Sequence, residues 1–140
     1  TMKRSEVREN IFKLLFRVEF NGEEDMKEQV KLYFEDLPLE DEKKISEKYQ
    51  RIIEQKYLAV VENLDKIDEK IKAASDGWQI NRMGKVELTI IRLAVFEIHY
   101  DEDVPTGVAI NEAVELAKKF GGDTSSSFIN GVLGKLAAGK

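Results

Sequence analysis

The sequence predicts an all-α fold, a compact bundle of six or seven helices. Three observations carry that expectation. Apolar residues recur at three- and four-residue spacing along most of the chain, no segment keeps the alternation of a half-buried strand, and only Pro38 and Pro105 break 140 residues. Apolar residues at 42% and charged residues at 35% supply both a core and a solvated shell, so one domain over residues 2–140 is expected, with Thr1 ahead of Met2 outside the fold.

The first helix follows from the stripe Val7, Ile11, Leu14, Leu15 and Val18. Phe12 and Phe16 widen the stripe, so this helix should pack on more than one side, and Asn21-Gly22 ends it. A second helix spans about residues 25–36, with Met26, Val30, Tyr33, Phe34 and Leu37 inward and Pro38 as the stop. From about Asp41, Ile45, Tyr49, Ile52, Ile53, Val60, Leu64, Ile67 and Ile71 keep helical spacing for roughly seven turns. That stretch is either one helix or two, with a break between Tyr57 and Asn63.

Asp76-Gly77 reads as a turn, and Trp78, Ile80 and Met83 lead into a helix carrying Val86, Ile90, Leu93, Ala94 and Glu97 and ending near Tyr100. Residues 101–105 form an exposed connection. Residues 108–120 read as a helix with Ile110, Ala113, Val114, Ala117 and Phe120 inward, closed by Gly121-Gly122 as a left-handed stop. Ser125 is the expected N-cap of the last helix, which buries Phe128 or Ile129, Val132, Leu133 and Leu136.

The residue inventory argues against an enzyme. The chain has no cysteine and one histidine, His99, so disulfides, thiolate nucleophiles and the familiar zinc sites are not available, and a Ser–His centre would have to use His99. Acidic pairs such as Asp65/Glu69 and Glu112/Glu115 have bases nearby and read as solvated helix faces. Gly121, Gly122, Gly131 and Gly134 do not follow a strand, so no nucleotide-binding glycine loop is present. No cofactor or metal is expected. No apolar run approaches the roughly 20 residues of a membrane span, and the charged N-terminus lacks a signal-peptide core, which makes a cytoplasmic protein the expectation.

The net charge of −5 argues against nucleic-acid binding by the whole surface, but the charge is unevenly spread. Residues 1–20 hold five bases against three acids, whereas residues 21–47 hold four bases against ten acids. Two elements are candidates for a confined polyanion site. Lys3, Arg4 and Arg8 open the first helix, and Arg4 and Arg8, one i, i+4 step apart, suit a phosphate clamp. The start of the last helix offers the hydroxyls of Ser125, Ser126 and Ser127, helix N–H groups and the ring of Phe128 as a stacking face for an unpaired base. Ordinary capping for the serines and core packing for Phe128 are the competing readings, and on the residues alone they are the stronger ones.

The segment Val108-Ala-Ile-Asn-Glu-Ala-Val-Glu-Leu-Ala-Lys-Lys-Phe-Gly, followed by Phe128-Ile-Asn-Gly-Val-Leu, resembles the NusB family of bacterial transcription antitermination factors. Trp78-Gln-Ile-Asn-Arg-Met, Val86-Glu-Leu-Thr-Ile-Ile-Arg-Leu-Ala-Val-Phe-Glu-Ile and the opening from Arg4 to Phe16 support the likeness, which covers nearly the whole chain. The resemblance implies two packed helical subdomains, about residues 2–75 and 76–140, with three helices against four. It implies binding of single-stranded boxA RNA from ribosomal RNA operons together with NusE, a small-subunit ribosomal protein, in an antitermination complex with RNA polymerase.

By position, the resemblance assigns RNA binding to Lys3, Arg4 and Arg8, with Ser5 and Glu6 where many relatives carry bases. It assigns a second RNA-contacting region to Thr124, Ser125, Ser127 and Phe128. Relatives often have an acid at the position of Thr124 and a lysine at that of Ser127. Glu87 falls on the partner surface, where it would meet a basic residue of NusE. Two other readings stay open: a module that binds NusE with little intrinsic RNA specificity, or a stand-alone relative of the RNA-targeting domain of ribosomal RNA cytosine methyltransferases. The 140 residues leave no room for a catalytic domain, which favours a free-standing factor. A homodimer covering the RNA surface is also open.

Overall fold

The computed structural model describes residues 2–21, 26–36, 45–74 and 80–139, the side chains of residues 18–21 and 26 excepted. Seven α-helices and one 3₁₀ turn, and no strand, run through the described residues, so the all-α expectation holds. The helices are α1 (Arg4–Asn21), α2 (Met26–Glu35), α3 (Glu47–Glu62), α4 (Leu64–Ala74), α5 (Lys85–Tyr100), α6 (Thr106–Phe120) and α7 (Ser125–Ala138), with the 3₁₀ turn at Ile80–Arg82. The expected stops at Gly22 and Pro38, the Asp76-Gly77 turn, and Leu37 and Trp78 lie outside the described residues, as do the side chains of Val18 and Met26.

The chain divides into two compact units, residues 1–61 and 62–140. Helices α1 to α3 fall in the first and α4 to α7 in the second. The division comes earlier than residue 75 because α4 packs on α5. The helical run beginning near Asp41 breaks at Asn63, the far edge of the interval expected for a break. The Asn63 carbonyl accepts the N–H of Ile67 at 2.9 Å, the bond that opens a helix at its N-cap, and asparagine is well suited to that position.

In the first unit, Ile11, Leu14 and Leu15 are buried along the expected stripe and Phe12 is buried beside it, so α1 does pack on more than one side. Val30 and Tyr33 of α2 and Ile53, Tyr57 and Val60 of α3 complete the core. The Tyr33 hydroxyl donates to Asn10 Oδ1 of α1 at 2.5 Å, and the Arg17 guanidinium lies 5.1 Å from the Tyr33 ring centroid. Desolvation pushes the Tyr33 phenol up to about 12, opposed by Arg17 and assisted by Glu9.

The second unit is built around α5. Ten of its residues, Leu88 to Ile91 and Leu93 to Ile98, are buried, so its apolar character extends around the helix instead of along one stripe. Helices α4, α6 and α7 all pack against it. On α6 the buried residues are Ala109, Ala113, Leu116 and Ala117. The three alanines recur every fourth residue and keep that face narrow. Ile110, Val114 and Phe120, expected inward, are only half-buried. The face was misjudged because α6 meets both α5 and α7, and small residues fill the seam.

Candidate nucleic-acid interface

The α6–α7 turn is set by the space that glycine leaves. Pro105 stands at the N-cap position of α6, and its carbonyl accepts the N–H of Ala109 at 3.0 Å, so the helix starts two residues before Val108. At the other end Gly121 N–H donates to the Ala117 carbonyl at 2.8 Å. Gly121 has φ −94° and ψ −179°, an extended conformation and not the left-handed stop expected. Its glycine requirement is steric: a Cβ there would lie 2.5 Å from the Ser125 Cβ and 2.8 Å from the Ala117 carbonyl oxygen.

Ser125 uses that space. It is the first residue of α7, not its cap; Thr124 holds the N-cap position, with no capping bond from its side chain. The Ser125 side chain turns inward and is 5% exposed. Its hydroxyl accepts the Gly122 N–H at 3.0 Å and donates to Glu87 Oε1, near the start of α5, at 2.5 Å. A serine hydroxyl has one proton to donate and lone pairs to accept, so both partners are served. The Glu87 carboxylate folds back over Gly84, where a Cβ would collide with Oε2. Gly84, Glu87, Gly121, Gly122 and Ser125 therefore form one interlocked group, of which Glu87 and Ser125 were expected as functional residues, for separate reasons, and Gly121-Gly122 as a helix stop alone.

The remaining expected residues divide by exposure. Thr124 and Ser127 are exposed on the first turn of α7, and Phe128 is half-buried beside them. Ile129, fully buried, takes the core position for which Phe128 and Ile129 were alternatives. The Ser125 N–H is taken by the Gly122 carbonyl at 3.1 Å, while the helix dipole at this start favours an anion. Lys118 and Lys119, exposed at the end of α6 and absent from the residues expected at the site, bring positive charge to the same turn. Lys118 pairs with Glu115 at 3.4 Å, and the Lys119 ammonium lies 5.6 Å from the Phe120 ring centroid.

In the first unit Lys3 and Arg4 are exposed, but Arg8 is 5% exposed and engaged within the protein. Arg4 and Arg8 thus do not present a matched pair of guanidinium groups to solvent. One helical turn separates them, yet the helix descends into its core between them. His99 is half-buried, with its ring centroid 6.5 Å from that of Tyr100. Among the described residues no group of three or more His, Asp or Glu side chains could hold a metal ion, and no helix is long and apolar enough to cross a membrane.

The described residues thus form an all-helical protein with a polar helix start at the α6–α7 turn. The model of the NusB family matches residues 5–138, and the chain belongs to that family. It is 49% identical over 138 residues to the transcription antitermination protein NusB of Agathobacter rectalis, covering 97% of this chain and 100% of that one. The solved structure of T. maritima NusB superimposes with a TM-score of 0.85 at 30% identity, covering 99% of this chain and 92% of that one. A crystal structure of the antitermination factors NusB and NusE with double-stranded RNA contains a chain that matches with a TM-score of 0.82 at 24% identity. That match covers 98% of this chain and 97% of the other, and concerns the fold.

Proposed function

We propose that this protein is a transcription antitermination factor that binds boxA RNA of ribosomal RNA operons together with NusE, within the antitermination complex on RNA polymerase in the cytoplasm. The observation that carries this reading is the likeness to the antitermination protein NusB of Agathobacter rectalis, which covers 97% of this chain and 100% of that one. The site chemistry is compatible with it. Thr124, Ser127 and the helix N–H groups take a phosphate, Phe128 offers part of a ring face to a base, and Lys118 and Lys119 attract the backbone. Lys3 and Arg4 are the exposed bases of the opening, and Arg8 is buried. Glu87 presents a carboxylate to a basic residue of NusE. No bond-making step is required of any residue.

The test is a titration of boxA against scrambled RNA, with and without NusE, at several salt concentrations. Preference for boxA, tightened by NusE and weakened by salt, supports the reading. Phe128→Ala and Ser127→Glu should weaken RNA binding while helical content stays the same. Unchanged affinity in both would remove the α7 site.

A second reading has its own support. Burial of Arg8 and internal engagement of Ser125 leave few exposed donors, which suits a module that binds NusE and has little RNA specificity of its own. NusE binding with equal affinity for boxA and scrambled RNA would favour it.

A further inference from the structure

We propose that the Glu87–Ser125 hydrogen bond links the partner-facing carboxylate on α5 to the RNA-facing start of α7, making Glu87 a positioning residue for RNA. The inference rests on the reading that NusE meets Glu87 and RNA meets the first turn of α7. Its own warrant is the geometry between those two places.

Glu87 is half-buried, with Oε1 taking the Ser125 proton and Oε2 lying against Gly84. A carboxylate has about four lone-pair positions, so a cation can engage Glu87 while Ser125 is still bound. That cation changes how strongly, and in which direction, the carboxylate holds the Ser125 hydroxyl. Ser125 in turn accepts the Gly122 N–H, and its Cβ sits where Gly121 leaves room. Movement of this hydroxyl therefore reaches the backbone of the α6–α7 turn and, through Ser125 itself, the first turn of α7. Thr124 and Ser127 flank Ser125 in that turn. The chain from cation to phosphate runs through one carboxylate, one hydroxyl and one amide. Coupling of this kind is reciprocal, so RNA at α7 must favour the partner at Glu87 by the same factor.

Two substitutions separate the link from the charge. Ser125→Ala keeps the Glu87 carboxylate and removes the bond. Glu87→Gln keeps an acceptor oxygen for Ser125 and removes the charge. RNA titrations with and without NusE are combined with amide exchange at Gly122. In Ser125→Ala, NusE still binds, the Gly122 amide exchanges faster, and the gain in boxA affinity brought by NusE falls at least about threefold, within the usual range of coupling between sites. In Glu87→Gln the Gly122 amide stays protected while NusE binding weakens. If Ser125→Ala does not fold, Ser125→Cys, of similar size with a poorer donor, takes its place.

A gain from NusE that is the same in the wild type and in Ser125→Ala overturns the link and leaves the proposed function standing. If the wild type shows no gain from NusE, the proposed function fails. The link is then judged by Gly122 exchange on adding NusE, and exchange that does not change overturns it as well.

Discussion

Arg92 of α5 grips Asp68 of α4 through two parallel hydrogen bonds, Nε to Oδ1 and Nη2 to Oδ2, each 2.9 Å. Both side chains are largely covered, at 16% and 23% exposure, so the pair is screened less than an exposed one. Lysine cannot reproduce the fork. Arg92→Lys should lower stability by about 1 kcal/mol, the upper end for incompletely buried pairs, and Arg92→Ala by more because Asp68 is left alone. Chemical denaturation of the intact chain measures both.

The Tyr57 hydroxyl is buried and finds no hydrogen-bond partner among the described residues. Burial also raises its pKa. A buried hydroxyl without a partner costs on the order of 1–3 kcal/mol. Tyr57→Phe should therefore leave stability unchanged or raise it by about 1 kcal/mol. Tyr33→Phe, which strips Asn10 of its donor, should lower stability by a similar amount. Opposite signs from the same chemical change are the measurable outcome.

Alkaline titration follows from the same two phenols. Tyr33 is raised from 10.0 to about 12 in the folded chain, so the folded state holds its proton more tightly than the unfolded state. Its contribution is complete below pH 10 and is lost as pH rises toward 12. Tyr57 acts in the same direction. Stability should fall across that window, and Tyr33→Phe should flatten the fall.

The two adjacent glycines of the α6–α7 turn should behave differently. Gly121→Ala forces a Cβ against Ser125 and the Ala117 carbonyl, an overpacking that typically costs about 1–3 kcal/mol. At Gly122 an added Cβ meets nothing within 4 Å, so Gly122→Ala should be tolerated. Thermal unfolding of the two variants distinguishes this steric account from one in which either glycine is needed for a left-handed backbone.

Ser127 is exposed on the first turn of α7. Ser127→Lys should tighten RNA binding at low salt and steepen its salt dependence by roughly one counterion. An unchanged salt slope would place the phosphate elsewhere.

Helix existence was readable because the spacing of apolar residues is a property of the chain alone. Breaks and faces were less so. Asn63 ends one helix and opens the next by a capping bond that hydrophobic spacing does not register. Ala109 and Leu116 displaced Ile110 and Phe120 from the inner face of α6 because a seam between two neighbours selects for size, which periodicity ignores. Of the candidate site, Thr124 and Ser127 are exposed at the start of α7. Arg8 is buried and Ser125 bonded to Glu87, because the sequence carries no sign of a contact between residues so far apart along it.

The burial of α5 on all sides has a consequence for how the protein is made. Synthesis runs from the N-terminus, so α5 leaves the ribosome before α6 and α7 are free to cover it. Ile129, Val132, Leu133 and Leu136 arrive last, and each belongs to the buried set of the second unit. Until then a run from Leu88 to Ile98 faces water or whatever binds exposed apolar helices. Folding of this unit is therefore complete only once α7 is free of the ribosome, late in synthesis or after it.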